Sequence, residues 1–177
     1  MRLLGIQDDK RIVEVRGEDV SFYVRQLADA GKQAIGMTGE DLYREFCLEE
    51  REPGLKIIRR IAWNDKNALF GKPALCLMGP KGKRFEELPT ELRVCVAAKY
   101  KKLAKKYLNL LEDKGYAFKK TYMNGAVEES FAQGLADILI EIVYTGNSMR
   151  ENNLEVYEKI LESDFVIISP TEKGEAR

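Results

Sequence analysis

The 177-residue sequence contains no histidine, which removes the commonest general base and the commonest metal ligand of proteins. Its three cysteines, Cys47, Cys76 and Cys95, form no CxxC pair, so neither a zinc site nor a redox motif is expected. Reduced thiols are typical of a cytoplasmic protein. Any catalysis must therefore depend on carboxylates, lysines, hydroxyls, backbone amides or a metal ion carried by a ligand, and we expect no metal site built by the protein.

Neither sign of charge is in excess, since 29 basic residues balance 29 acidic ones. A general nucleic-acid binder would show a basic surplus, so nucleic acid is not an expected partner. No apolar run approaches the length needed to cross a bilayer, and the first ten residues are too short and too charged for a signal peptide. We expect a cytoplasmic protein with no membrane contact.

Segments of strand and helix character alternate along the chain, which predicts an α/β fold with helices on both faces of the sheets. The longest predicted helix covers residues 99–114, whose apolar side chains recur at helical spacing. Two apolar strands, residues 73–78 and 165–169, are predicted to form a hinge of two crossing strands between two lobes.

The glycine- and lysine-rich loop at residues 79–83 is the predicted crossing between these lobes. One lobe would contain residues 1–79 together with residues 162–177. The second would contain residues 80–161, and a ligand would bind in the cleft between the two.

Residues 140–149 (IEIVYTGNSM) carry the strongest local signal for chemistry. A buried strand leads into a hydroxyl–glycine loop and a helix start, so that amides and hydroxyls of residues 145–148 would converge on a phosphate. Asp137 and Glu141 lie four apart on the predicted strand, where one would bind a ribose diol or position a magnesium ion. An ordinary strand–loop–helix turn explains the same pattern equally well.

Two further segments are candidates for a binding cleft. Residues 38–41 (TGED) end a predicted strand and begin a helix; they favour an N-cap with acidic first-turn residues, which is compatible with lining a cleft. The lysines between residues 99 and 106 favour a solvated helix face. Lys99 is the exception, because it lies at a strand-to-helix junction from which it would reach a phosphate.

Several segments match the motifs of one family in the correct order. Its signature of a glutamate, G-x-A, an acidic residue and S/T-G-x-T-L/M is matched by Glu128, Gly134-Leu135-Ala136, Glu141 and Thr145-Gly146-Asn147-Ser148-Met149. Upstream, IGMTGED, VCVAAKY and NGAVE match LGITGED, RVATKYP and NGSVE. The sequence thus resembles ATP phosphoribosyltransferase, the first enzyme of histidine biosynthesis. It departs from the family pattern at Glu141 and Ser148, where the family has Asp and Thr.

The resemblance implies a glycosyltransferase that transfers phosphoribosyl from phosphoribosyl diphosphate (PRPP) to N1 of ATP and releases pyrophosphate, with Mg²⁺ accompanying PRPP. It implies a two-lobed, type II periplasmic-binding-protein-like fold and a homo-oligomer. It also implies a regulatory subunit resembling histidyl-tRNA synthetase. We expect the chain to begin after the family's opening strand, P-K-G-R-L segment and helix. The alternative is a non-catalytic member that binds PRPP or a nucleotide and regulates or assembles with a partner subunit.

These considerations predict three groups of site residues. The predicted catalytic residues are Glu141, Asp137 and Glu128. The predicted PRPP- and phosphate-binding residues are Thr145, Gly146, Asn147, Ser148, Met149 and Lys99. The predicted nucleotide cleft contains Thr38, Gly39 and Asp41.

Overall fold

The computed structural model describes residues 12–50 and 53–171. Within these ranges the helices are α1 Val20–Asp29, α2 Glu40–Glu49, α3 Lys101–Glu112, α4 Val127–Ala132 and α5 Asn147–Glu151. The strands are β1 Gly36–Gly39, β2 Leu55–Ile61, β3 Ala74–Pro80, β4 Glu91–Ala97, β5 Ala117–Met123, β6 Ile138–Val143, β7 Leu154–Glu162 and β8 Phe165–Pro170. Short 3-10 turns occur at Gly17–Asp19, Phe85–Glu87 and Ala98–Tyr100.

Three antiparallel strands in the order β1-β8-β2 form a small sheet, on which α1 and α2 pack. Val24 of α1, Phe46 of α2 and Ile168 of β8 are buried together in its core. We call this sheet with its two helices the small lobe. Apolar residues recurring along one face of each helix account for the packing.

Five strands in the order β5-β4-β6-β3-β7 form the second sheet. The strands β5, β4 and β6 run parallel, whereas β3 is antiparallel to both β6 and β7. We call this sheet, together with α3, α4 and α5, the large lobe. Strand β3, which lies between β6 and β7, is buried from Ala74 to Gly79, which explains its continuous apolar sequence.

Helix α3 shows how the sequence directs local packing. Its buried residues are Ala104, Tyr107, Leu108 and Leu111, a spacing that places all four on one face of a helix. The lysines of α3 lie largely on the opposite, solvated side. The predicted helix at residues 99–114 is therefore confirmed, with a 3-10 turn replacing its first turn.

The chain passes between the lobes twice, along residues 62–73 and residues 163–164. The Ser163 amide donates to the Pro73 carbonyl (2.9 Å), and Lys72 forms an ion pair with Asp164 (2.6 Å), so the two crossovers are bonded to each other. The predicted hinge of two crossing strands is wrong, because β3 belongs to the large sheet and β8 to the small one.

The sheets also divide the chain earlier than the boundary predicted after residue 79. Strand β3 pairs with β6 and β7, so the change of sheet falls between Ile61 and Ala74. The loop at residues 79–83 connects β3 to β4 within one sheet and is not a crossing. The predicted α/β class is confirmed at the level of a mixed fold with two sheets. Among the described residues, none of the helices has the length and apolar character to span a bilayer.

Candidate active site

The carboxyl ends of the parallel strands β5, β4 and β6 meet at one edge of the large sheet. Lys99 follows β4, Asn124 follows β5, and residues 145–149 follow β6. Ligands of α/β proteins bind at such an edge because the loops that leave it are neighbours. The sheet therefore brings together segments that are far apart in sequence, and all six of the predicted phosphate-binding residues lie on them.

The loop after β6 turns sharply at Gly146, whose φ of 72° lies in the left-handed region that favours glycine. Asn147 N–H donates to Thr145 Oγ1 (3.3 Å), which closes a small turn around the glycine. The side chains of Asn147 and Ser148 are exposed. These two side chains are available to a ligand at the edge of the sheet.

Met149 has a different role from the one predicted. Its side chain is 8% exposed and belongs to the core of the large lobe. It therefore anchors α5, and only its backbone amide remains for the loop. On the other side, Leu69 of the first crossover donates its amide to the Tyr144 carbonyl (2.7 Å), so residues from the crossover support the loop.

Glu141, one of the predicted catalytic carboxylates, lies near the carboxyl end of β6. Burial raises the pKa of its carboxyl group, and the nearby charge of Glu128 acts in the same direction. The Ile142 amide, which donates to Glu141 Oε1 (2.8 Å), and the charge of Lys99 both oppose that rise. The charges of Glu128 and Lys99 therefore both act on Glu141, in opposite directions.

Asp137 is not part of this group. It precedes β6 at the opposite edge of the sheet, roughly 13 Å from Glu141 at the usual rise of a strand. Arg93 binds its carboxylate through Nη2 (2.6 Å), Nε (3.1 Å) and the backbone amide (2.7 Å). The hydrogen bonds from Arg93 lower the pKa of Asp137. The structure therefore places Asp137 in a salt bridge that joins the starts of β4 and β6, away from the other predicted catalytic residues.

The predicted nucleotide residues Thr38, Gly39 and Asp41 lie where β1 meets α2. The Thr38 hydroxyl donates to the Gly17 carbonyl (2.7 Å) and so ties β1 to the turn before α1. Gly39 has an extended backbone (φ −70°), and a Cβ there would collide with the Asp41 carboxylate. Glycine is required at this position for space rather than for a left-handed turn.

The Asp41 carboxylate joins the two lobes. Tyr100 of the large lobe donates its hydroxyl to Oδ2 (2.5 Å), and Ser163 of the second crossover donates to Oδ1 (2.5 Å). All three residues are buried. Burial, followed by the charge of Asp41, raises the pKa of Tyr100, which stays a neutral donor. Asp41 thus holds the lobes together and does not face an open cleft in this conformation.

A second contact between the lobes involves Glu45 of α2. Its carboxylate accepts hydrogen bonds from the amides of Lys102 (2.5 Å) and Leu103 (2.8 Å), both in the first turn of α3. The side chain of Tyr100, which precedes α3, makes no capping hydrogen bond. The Glu45 carboxylate from the small lobe therefore caps the helix. Burial raises the pKa of Glu45, and the two backbone hydrogen bonds oppose that rise.

A cleft of about 320 Å³ lies between the lobes beside these contacts. The small lobe contributes an acidic wall, and the large lobe contributes a basic wall. The lining residues are Glu18, Asp19, Leu42, Glu45, Phe46, Glu49, Ala98, Lys99, Lys101 and Asn124. Lys99 therefore lies both at the carboxyl edge of β4 and in the cleft.

Four residues of this region have no predicted role: Glu45, Tyr100, Ser163 and Arg150. The first three act through contacts between distant segments, for which the local sequence carries no signal. Arg150 is different, because a positive charge directly after a phosphate loop is visible in the sequence. Over residues 12–50 and 53–171, no group of three or more histidine, cysteine, aspartate or glutamate residues is arranged to hold a metal ion.

Comparison with known proteins identifies the family. A family model described as ATP phosphoribosyltransferase matches residues 16–176. The ATP phosphoribosyltransferase of Caldicellulosiruptor saccharolyticus is 31% identical over 163 residues, and the match covers 90% of this chain and 68% of the relative. That of Clostridioides difficile is 31% identical over 174 residues, covering 95% of this chain and 72% of the relative.

For other relatives, the match covers a smaller share of their length. The ATP phosphoribosyltransferase of Lachnospira eligens is 34% identical over 146 residues, and this chain spans 57% of its length. A solved structure, the ATP phosphoribosyl transferase (HisG:HisZ) complex from Thermotoga maritima, matches with a TM-score of 0.65 and 27% identity, covering 88% of this chain and 66% of that one. The resemblance seen in the sequence is confirmed, and the chain belongs to the ATP phosphoribosyltransferase family.

Proposed function

We propose that the chain transfers the phosphoribosyl group of PRPP to N1 of the adenine of ATP and releases pyrophosphate, the first step of histidine biosynthesis. One observation carries the proposal beyond family membership. The signature residues Glu128, Glu141 and the loop at residues 145–149 assemble with Lys99 at one edge of the large sheet. Segments that match the family motifs and are far apart in sequence thus lie near the carboxyl ends of neighbouring strands.

The loop after β6 would hold the 5′-phosphate of PRPP. The left-handed turn at Gly146 is followed by the exposed residue Ser148, whose hydroxyl would bind the phosphate together with amides of the loop. Lys99 supplies a positive charge from the neighbouring strand end, where the pyrophosphate of PRPP would lie. Fixing both ends of the substrate would orient the ribose between them, and orientation of this kind lowers the barrier to reaction.

Glu141 would face the ribose. As the C1′–pyrophosphate bond breaks, positive charge develops on the ribose ring, and a carboxylate beside it stabilises that charge. The adenine N1 lone pair then forms the new bond to C1′, and the adenine loses a proton from its exocyclic amine. Burial strengthens the electrostatic effect of Glu141, while Lys99 helps to keep its carboxyl group ionised.

ATP would enter the cleft between the lobes. We propose that the two lobes correspond to a type II periplasmic-binding-protein-like fold and that the acceptor adenine lies between Phe46 and Asn124, which line opposite walls of the cleft. The small-lobe residues 38–41 would act indirectly, by holding α2 against Tyr100. This arrangement would place the nucleotide opposite the PRPP loop.

We propose that Mg²⁺ enters with PRPP as part of the substrate, neutralising its pyrophosphate. Homo-oligomers and a regulatory subunit resembling histidyl-tRNA synthetase are also proposed; the Thermotoga maritima structure, a HisG:HisZ complex, supports a partner subunit. The thiols Cys47, Cys76 and Cys95 are free, which supports the cytoplasm as the compartment.

The test is pyrophosphate release from ATP, PRPP and Mg²⁺, measured with and without a partner subunit. The proposal requires release that depends on both organic substrates, and formation of phosphoribosyl-ATP in equal amount. Glu141→Gln should remove most of the activity, while Glu91→Gln, an exposed carboxylate at the opposite end of β4, should leave it unchanged. If the wild-type protein with partner subunit forms no product, the proposal is wrong.

A further inference from the structure

Arg150 turns back from α5 across the loop that precedes the helix. Its Nη2 donates to the Thr145 carbonyl (2.9 Å) and to Asn147 Oδ1 (2.7 Å). Its Nη1 lies 3.2 Å from the position that a Cβ on Gly146 would occupy. One planar group therefore bonds to both residues that flank the left-handed turn and covers the glycine between them.

The charge of Arg150 has no acidic partner within the part of the chain that the structure describes. An exposed arginine on a helix commonly pairs with a carboxylate three or four positions away. The residues at those positions are Gly146, Asn147, Asn153 and Leu154, none of which is acidic. Nη2 is fully used by its two acceptors, whereas Nη1 and Nε have no hydrogen-bond acceptor among the described residues. The loop thus carries a positive charge that is held by two hydrogen bonds and has unused donors.

We infer that Arg150 binds the 5′-phosphate of the ribose and at the same time holds the loop that receives it. Guanidinium is suited to both tasks, because its donors form a fixed planar fork and it is the preferred partner of phosphate in proteins. Nη2 maintains the turn at Gly146, which leaves Nη1 and Nε as donors for the phosphate oxygens. This inference rests on the proposed function, since it assigns a ligand group to the loop of that site.

The inference distinguishes the two phosphate-bearing ends of PRPP. Ribose 5-phosphate carries only the 5′-phosphate, and inorganic pyrophosphate carries only the leaving group. Arg150 should contribute to the affinity for ribose 5-phosphate and not to the affinity for pyrophosphate, which would bind near Lys99 instead. Because binding of these two compounds is measured without turnover, the inference is tested separately from the reaction.

The experiment measures dissociation constants of ribose 5-phosphate and of Mg²⁺-pyrophosphate by calorimetry for the wild type, Arg150→Gln and Arg150→Lys. Arg84→Gln is the matched control, because it removes the same charge from an exposed arginine that bonds to Glu87, three residues along the chain. We expect Arg150→Gln to weaken ribose 5-phosphate binding roughly tenfold to hundredfold, the contribution of a charge-assisted hydrogen bond. Arg150→Lys should recover part of the loss, because it keeps the charge but not the fork.

Kinetics supplies a second readout. In Arg150→Gln, the KM for PRPP should rise while the KM for ATP and the melting temperature remain near their wild-type values. Unchanged ribose 5-phosphate affinity in Arg150→Gln would overturn the inference. The inference would also be overturned if Arg150→Gln weakened pyrophosphate binding as much as ribose 5-phosphate binding. It would equally be overturned if Arg84→Gln weakened ribose 5-phosphate binding as much as Arg150→Gln does. If the wild type binds ribose 5-phosphate through Arg150 but forms no phosphoribosyl-ATP, the proposed function fails and this inference stands.

Discussion

Replacement of Gly146 by alanine tests the phosphate loop most sharply. Its φ of 72° would cost an alanine about 1–2 kcal/mol, the usual penalty of a left-handed conformation. The new Cβ would also lie 3.2 Å from both Arg150 Nη1 and Leu69 Cδ2, so the guanidinium and the supporting leucine would have to move. Displacing Arg150 disturbs its bonds to Thr145 and Asn147, and with them the geometry of the loop.

Gly134 provides the matched control at the other end of β6. Its φ is 68°, and nothing lies within 4 Å of a Cβ built there. Both alanine variants should therefore lower the melting temperature by roughly 2–8 °C for a chain of this size, with the larger drop for Gly146→Ala because Arg150 and Leu69 must also move. Only Gly146→Ala should weaken PRPP binding, by roughly tenfold or more, since it alone displaces a charged donor.

Calorimetric titration with PRPP and Mg²⁺, together with thermal unfolding, measures both effects. The double change Thr145→Val with Gly146→Val should abolish PRPP binding altogether. Equal PRPP affinity in the wild type and in Gly146→Ala would refute the placement of the phosphate at this loop. Equal losses in Gly146→Ala and Gly134→Ala would show that the effect comes from general destabilisation.

Three further predictions concern other parts of the site. Glu141→Gln should raise the melting temperature at pH 8. Burial raises the pKa of Glu141, so the folded protein is more stable when this carboxyl group is protonated, and that stability is lost as pH rises through the folded-state pKa. The glutamine stays neutral and avoids this loss. PRPP should change the emission of Trp63, the single tryptophan, which packs edge-on against Tyr144 beside the loop (5.7 Å between ring centroids). Tyr100→Phe should destabilise the protein by about 1–3 kcal/mol, since Asp41 would lose a buried donor.

Each of these predictions has its own control. The gain from Glu141→Gln should disappear near pH 4, and a gain that persists there would mean that charge burial is not its cause. Trp63→Phe should remove the fluorescence signal, and an unchanged wild-type spectrum at saturating PRPP would contradict contact between loop and crossover. Tyr23→Phe, at a 46% exposed position on α1, should leave the free energy of unfolding unchanged, whereas Tyr100→Phe should lower it.

Features that depend on neighbours in sequence were predictable. The apolar stripe of α3 predicted its helix, and the hydroxyl–glycine pattern predicted the turn at Gly146, which the structure places in the left-handed region. The position of Lys99 was predictable because the end of a parallel strand leads to the carboxyl edge of a sheet. These conclusions needed only the local pattern and the known geometry of α/β units.

Features that depend on pairing between distant segments were not predictable in the same way. β3 and β8 have similar apolar sequences, and only their partners show that they belong to different sheets. Asp137 has the sequence spacing of a site residue, but Arg93, 44 positions away, binds it at the opposite edge. Glu45 looks like an ordinary helix-surface residue until α3 is placed against it.

Backbone amide chemical shifts recorded during a titration with PRPP and Mg²⁺ test the central claim most directly. If the carboxyl edge of β4, β5 and β6 is the PRPP site, the largest changes should fall at Lys99, Asn124 and residues 145–149. The opposite edge, at Arg93 and Asp137, should change little. Changes concentrated at the opposite edge, or no change at residues 145–149 under saturating PRPP, would contradict the account.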